Sequence, residues 1–198
     1  MLRIYRSPAE FFETQKSFAT DHQQLRQQVV DIITRVRREG DRALLQLTEN
    51  IDGIRLETLR VARETIAASV KSLQPEIRKT FTCAIDNVRR FHEKQRPNSW
   101  IETLSDGSRL GMQFSPIQTV GVYVPGGRAA YPSTVIMTVV PAQIAAVERI
   151  ALASPPTHEG RINPIVLAVA GLLGINEIYA IGGAQAIAAL AYGTESIV

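Results

Sequence analysis

The sequence predicts an α/β protein. A helical region with a β-hairpin occupies 1–115, and a parallel β-α-β-α-β half-domain occupies 116–198. Three observations predict it. Before Pro97, apolar residues recur at helical spacing. Between Trp100 and Phe114 they alternate about Asp106-Gly107. From Thr119 onward, short and almost wholly apolar β-type runs take turns with helix-type runs, as strands covered on both faces do.

In the helical region, Asp21 and Gln24 resemble a capping box. Leu25, Val29, Ile32, Ile33 and Val36 follow at helical spacing, and Gly40 suits a C-terminal stop. Asp41 can cap a short second helix carrying Ala43, Leu44 and Leu47, and Ile51-Asp52-Gly53 is a turn. Leu56 to Val61 is a short candidate strand, and Arg63 to Leu73 a third helix. Pro75 suits a first helical position. From it Ile77, Phe81, Ile85, Val88 and Phe91 make one stripe of an amphipathic helix that Pro97 ends. Asp106-Gly107 is a hairpin turn signal, and Ile101, Leu110 and Met112 are expected on one face of that hairpin, which suits a lid or a linker.

Strands are expected at 119–124, 149–153 and 177–181, and helices at 133–147, 163–173 and 184–192. That order fits right-handed crossovers in a parallel sheet. Pro141 is expected to kink or split the first of these helices. Asn163-Pro164 reads as a cap and a first-turn proline. The family resemblance given below implies that Ile197-Val198 begins a further strand. Without it, the neighbouring strand edge and the apolar face of 184–192, with Ile187 and Leu190, are expected to lie uncovered.

A chain of 198 residues that is 45% hydrophobic and 21% charged can bury a real core. The net charge of +3 is small. Arg35, Arg37 and Arg38, with Arg89, Arg90, Lys94 and Arg96, read as solvated helix faces. Nucleic-acid binding wants aromatics among a larger excess of charge, so no nucleic-acid partner is expected. Cys83 is the single cysteine, so no intrachain disulfide forms and a reducing compartment is the simple reading. No charge-free apolar stretch reaches the ~18 residues of a membrane span. The N-terminal residues lack the apolar core of a secretory signal. A cytoplasmic protein with no membrane partner is expected.

Gly126-Gly127 and Gly182-Gly183 each follow a β-type run and precede a helix-type run. Such a junction can hold a phosphate on backbone N–H groups, or can simply be a tight turn. Two of them on the same edge of one parallel sheet favour a ligand there. There is no G-x-G-x-x-G. Tyr123, near the end of the first strand, can edge a base or reach a ribose, or can be a core tyrosine. Gln185, polar in an otherwise apolar helix, can hydrogen-bond a cofactor or merely start the helix. His22, His92 and His158 do not stand at metal-ligand spacing, so no metal site is expected within the chain. His92 reads as a helix-end histidine. Cys83 stands far upstream of the glycine loops, which argues against a nucleophile. Glu195 has no partner histidine and reads as a surface or cap residue after Gly193.

Several segments together resemble one family, histidinol dehydrogenase. They are Tyr123-Val124-Pro125-Gly126-Gly127 with Ala130-Tyr131-Pro132-Ser133, and Gly182-Gly183-Ala184-Gln185-Ala186-Ile187-Ala188-Ala189-Leu190 with Tyr192-Gly193-Thr194-Glu195. Upstream, Gly40-Asp41-Arg42-Ala43-Leu44 and Phe91-His92 with Gln95 are similar to its N-terminal helices. The resemblance runs from Val29 onward. Two departures are Ile51 before Asp52, where an aromatic is usual, and Ala146, where glycine is expected.

The resemblance implies a Rossmann-like, aldehyde-dehydrogenase-like sheet domain that binds NAD. The implied contacts are Tyr123, Pro125, Gly126, Gly127, Gly182, Gly183 and Gln185. It implies oxidation of L-histidinol to L-histidine through the aldehyde, the last steps of histidine biosynthesis, in a homodimer that requires zinc. The implied catalytic glutamate–histidine pair and zinc ligands fall beyond Val198, so no catalytic or metal residue is expected here, and the chain alone is expected to be inactive. Three readings stand side by side: part of such an enzyme, a truncated non-catalytic homologue acting as a nucleotide-binding or regulatory partner, or a relative of aldehyde dehydrogenases. The third wants a cysteine after the glycine loops, and the sequence has none.

Overall fold

The computed structural model describes residues 7–126 and 129–197. Three helices come first: α1 (Pro8–Asp52), α2 (Arg63–Lys71) and α3 (Pro75–Glu93). A hairpin of β1 (Trp100–Thr103) and β2 (Arg109–Met112) follows. Then come β3 (Thr119–Tyr123), α4 (Pro132–Ile144), β4 (Arg149–Ser154), α5 (Pro164–Leu172), β5 (Ile178–Ala180) and α6 (Gly183–Tyr192). The last three strands form a parallel sheet in the order β3-β4-β5, as expected.

Strand alternation sorts the core into two halves. Val122, Val124, Leu152, Ile178 and Ala180 point to one face, where α4 and α5 pack with α2 and α3 behind them. Ala151, Ala153, Tyr179 and Ile181 point to the other, where α6 packs and α1 covers α6. The side chains on this second face are small where α6 crosses. A Cβ at Gly121 would lie 2.8 Å from that of Leu190. Ala186, Ala188 and Ala189 fill the contact. The alanine-rich sequence of α6 is thus the counterpart of a flat sheet face.

α1 is two helices joined at Gly40, whose φ of 55° and ψ of −135° are not helical. The expected break is there, but the helix begins at Pro8, well before Asp21. Asp41 does not cap its own helix. Its carboxylate takes hydrogen bonds from the Ser196 backbone N–H and hydroxyl, while the Asp41 N–H donates to Glu195 Oε2 at 2.7 Å. Glu195 is therefore a cap, as expected, but of a helix far away in sequence.

Other expectations need correction. Leu56 to Val61 is not a strand of its own; it lies beside β5 through an antiparallel bridge at Arg60. Val61 N–H donates to the Ile178 carbonyl and Ala180 N–H to the Leu59 carbonyl. That run covers the β5 edge which was expected to lie open. In the hairpin, Ile101 pairs with Gly111, Trp100 with Met112 and Glu102 with Leu110. Leu110 and Met112 therefore share a face with Trp100, and Ile101 is on the other. α4 runs unbroken through Pro141. It ends instead at Ile144, with Ala146 (φ 60°) in the turn beyond it, and Ile197 is a buried residue outside any strand. Ile187 is exposed, as expected, but Leu190 is half-buried against the sheet. Among the described residues, no helix is long and apolar enough to cross a membrane.

Candidate functional site

The C-terminal ends of β3, β4 and β5 open on one edge. The loops there line a cleft of about 440 Å³ with Tyr123, Gly126, Pro155, Thr157, His158 and Gly183, closed from the side by Asp52 and Ile54 at the end of α1. Parallel topology produces this arrangement, because every crossover returns the chain to the same edge.

Tyr123 is the last residue of β3 and half-buried. Its hydroxyl accepts a hydrogen bond from the Gly183 N–H at 3.2 Å, which ties the first loop to the start of α6. The hydroxyl's own proton is left to be donated. Gly183 has a φ of 64°, a left-handed conformation that favours glycine. A Cβ there would also lie 2.7 Å from Gln185 Oε1.

Gln185 is only 1% exposed. Its Nε2 has no hydrogen-bond partner among the described residues. A buried amide left unpaired costs about 1–3 kcal/mol, so its place beside the cleft wall at Gly183 is informative.

Gly126 and Gly182 owe their identity to one ring. A Cβ on either would come within 2.6 Å of Pro155. The proline after β4 is wedged between the two outer loops, and only glycine lets them approach it. The structure thus brings Tyr123, Gly126 and Gly183 into the cleft. Pro125 is exposed between the first two. Gly182 is buried behind Pro155, and Gln185 lies beneath Gly183. Gly127 lies outside the described residues.

Sequence reasoning did not count Asp52, Ile54, Pro155, Pro156, Thr157 and His158 among the site residues. The Pro155-Pro156 pair at a strand end was a usable signal. Asp52 was not, since it arrives from a distant helix. Its Oδ2 is buried with no hydrogen-bond partner among the described residues, and burial pushes its carboxyl above the usual range.

Elsewhere the titratable groups serve packing. Arg149 Nε donates to Glu177 Oε2 at 2.9 Å and holds that carboxyl below its usual range. The Tyr179 hydroxyl lies 2.8 Å from Glu177 Oε1 and 2.7 Å from the Ser196 carbonyl, and burial pushes it up to about 12. His92 pairs with Gln95 Oε1 at 2.7 Å, in keeping with a helix-end role. Cys83 is exposed on α3 and lines a different groove. Among the described residues, no three His, Cys, Asp or Glu side chains gather as a metal site.

The family described as histidinol dehydrogenase matches residues 15–198. Histidinol dehydrogenase of Halalkalibacterium halodurans is 49% identical over 178 residues, 90% of this chain and 42% of that protein. That of Geobacillus kaustophilus is 48% identical, over 87% of this chain and 41% of the relative. The crystal structure of histidinol dehydrogenase from Elizabethkingia anophelis superposes with a TM-score of 0.84 at 36% identity, covering 88% of this chain and 40% of that one. The chain therefore spans about two fifths of the length of the curated relatives it matches.

Proposed function

The chain belongs to the histidinol dehydrogenase family, and on that premise we propose that it forms the nucleotide-binding portion of an NAD-dependent enzyme. That enzyme oxidises L-histidinol to L-histidine through the aldehyde, the closing steps of histidine biosynthesis, as a cytoplasmic homodimer. The observation that carries the reading is the convergence of three strand ends on one cleft, with the unpaired amide of Gln185 beside it. NAD fits such a site. The cleft wall offers the Tyr123 O–H as a donor, the unpaired Gln185 amide lies beneath Gly183, and Gly126 and Gly183 keep side chains out of the way. When bound, the dinucleotide supplies the acceptor for hydride.

The chain's own residues bind and orient. Tyr123 holds the first loop against Gly183, so the cleft keeps its shape before the ligand arrives. The Gln185 amide gains the hydrogen bond it lacks. Zinc does not fit here, because no ligand cluster gathers among the described residues. The zinc ligands and the paired base are assigned to the longer enzyme, and the chain by itself is inactive.

The test is NAD binding by the full-length protein and by its Gln185→Ala and Tyr123→Phe variants. Gln185→Ala is expected to weaken NAD by the ~0.5–1.5 kcal/mol of one polar contact, with zinc content unchanged. Identical NAD affinity in both variants would remove the two residues from the site. NADH formation from histidinol by the purified 198-residue chain would overturn the assignment of chemistry elsewhere.

A further inference from the structure

The second half of α1 and the whole of α6 run antiparallel between the same two places. Residues 41–52 of α1 leave the break at Gly40 and end at the cleft, where Asp52 and Ile54 line the side. α6 begins on the cleft at Gly183 and runs back to Tyr192, and Glu195 and Ser196 follow it beside Asp41. The gap across the cleft between Gly183 and the end of α1 is therefore the spacing of these two helices at one end.

The polar ties between them are unevenly placed. At the end away from the cleft, the Asp41 N–H donates to Glu195 Oε2 at 2.7 Å, and the Asp41 carboxylate accepts from the Ser196 N–H and hydroxyl. The Ser196 carbonyl lies 2.7 Å from the Tyr179 hydroxyl, which anchors this clasp to β5. At the cleft end, no hydrogen bond among the described residues joins α1 to α6. Between the two ends the contact is apolar, and Ala43, Leu44 and Leu47 share one cluster with Ala186 and Ala189. Apolar contact is non-directional and does not by itself fix one helix along another. Hydrogen bonds, with their narrow range of length and angle, do. Gly40 (φ 55°) interrupts the helix right at the clasp, so residues 41–52 can take a direction of their own.

We infer that the clasp of Asp41, Glu195 and Ser196 is a positioning device for the cleft. By pinning residues 41–52 to the turn after α6, it sets the gap between Gly183 and the end of α1, and with it the affinity for the ligand held there. The inference rests on the nucleotide reading above and adds to it three positioning residues at the opposite end of the helix pair from the ligand.

The experiment is equilibrium titration of the full-length protein with NAD, for the wild type and for Glu195→Ala, Glu195→Gln, Ser196→Ala and Val169→Ala. Glu195→Ala removes the acceptor for the Asp41 N–H and is expected to raise the Kd about fivefold, the equilibrium factor of one lost helix cap. Glu195→Gln keeps a carbonyl oxygen in that place and is expected to bring the Kd back to within about twofold of the wild type. Ser196→Ala loses one donor and is expected to raise the Kd about threefold. Val169→Ala opens a cavity in the core on the other face of the sheet, which lowers the melting temperature and is expected to leave the Kd unchanged. Wild-type affinity in Glu195→Ala overturns the inference. So does an equal loss of affinity in Val169→Ala, which reduces the effect to stability. Should Glu195→Ala not fold, Ser196→Ala decides, and an unchanged Kd there overturns the inference. Failure of the wild type to bind NAD overturns the nucleotide reading alone. The clasp is then judged by amide exchange in Glu195→Ala, expected to quicken at Gly53 and Gly183 relative to Leu152 in β4, whose N–H groups are all hydrogen-bonded. Quickening that is absent, or equal at all three, overturns the inference.

Discussion

Ala146 is the one non-glycine residue with positive φ among the described residues. It follows the end of α4, where the Ala146 N–H donates to the Gln143 carbonyl and the Val147 N–H to that of Ala142. This is the Schellman pattern, in which the residue at Ala146 adopts the left-handed region. The same pattern closes α5, where Gly174 holds the position without strain. The left-handed conformation costs a non-glycine residue ~1–2 kcal/mol, against ~0.5–1 kcal/mol of extra chain entropy for glycine. Ala146→Gly is expected to stabilise the protein by about 0.5–1 kcal/mol, a rise of about 1–4 °C in melting temperature for this size. A lower melting temperature would contradict it. Tyr179 carries a second prediction. Its pKa is raised from 10.0 to about 12 in the fold. The unfolded chain therefore gives up its proton first. The stability linked to this group is whole below pH 10 and is lost as pH rises through about 12. Urea midpoints measured across that window should fall, and fall less in Tyr179→Phe. Glu177 works in the other direction: its contribution is present above its unfolded value and lost as pH falls through its lowered one.

At the scale of elements, the break in α1 is held by the distant C-terminal segment. Gly40 has backbone angles that a side chain resists, and a Cβ there would collide with the Glu195 carboxylate. That carboxylate satisfies the first N–H after the break, and Asp41 in turn holds Ser196. The two halves of α1 thus cap, and are capped by, the turn after α6. Glu195→Ala is expected to cost about 0.5–2 kcal/mol, the range for losing a cap. Gly40→Ala should cost more, because backbone strain of ~1–3 kcal/mol is added to the collision. Chemical denaturation of the two variants gives the order, and equal losses would show that strain at Gly40 contributes nothing. This lock also explains why Asp41 misled a local reading. Its side chain does suit a helix start, but a partner far along the chain takes it.

At the scale of the molecule, the apolar surface left exposed is concentrated in and after the hairpin. Trp100 is 49% exposed, Leu110 46% and Met112 50%, all on one face. Ile101 on the other face, and Ile117 beyond, are more exposed still. The sheet is better protected, since Leu59 to Val61 covers β5 and α1 covers α6. Self-association of the purified chain is therefore expected to run through the hairpin. Replacing Leu110 and Met112 with lysine should shift its concentration-dependent elution toward monomer without lowering the melting temperature. Elution that is unchanged in the double variant, while the wild type still associates, would point to another surface.

The sequence alone determined what depends on neighbours within one turn or one strand. Helical periodicity, the Asp106-Gly107 turn, the Asn163-Pro164 cap and the all-apolar strands are local signals. They sufficed for the order of elements, the parallel sheet and the edge on which the cleft opens. They also marked Tyr123 and the glycine loops, because strand ends carry those residues by rule. Tertiary structure alone decided what depends on pairs distant in the chain. It settled which face Ile101 takes, since register depends on the partner strand. It laid Leu56 to Val61 beside β5, because a free edge recruits whatever backbone lies near. It wedged Pro155 between Gly126 and Gly182, giving those glycines a packing reason. It carried Asp52 from the end of a long helix into the cleft, where its charge has nothing to pair with among the described residues. Local composition cannot encode that last placement, because the cost of a buried carboxylate exists only once the rest of the fold has excluded water from it.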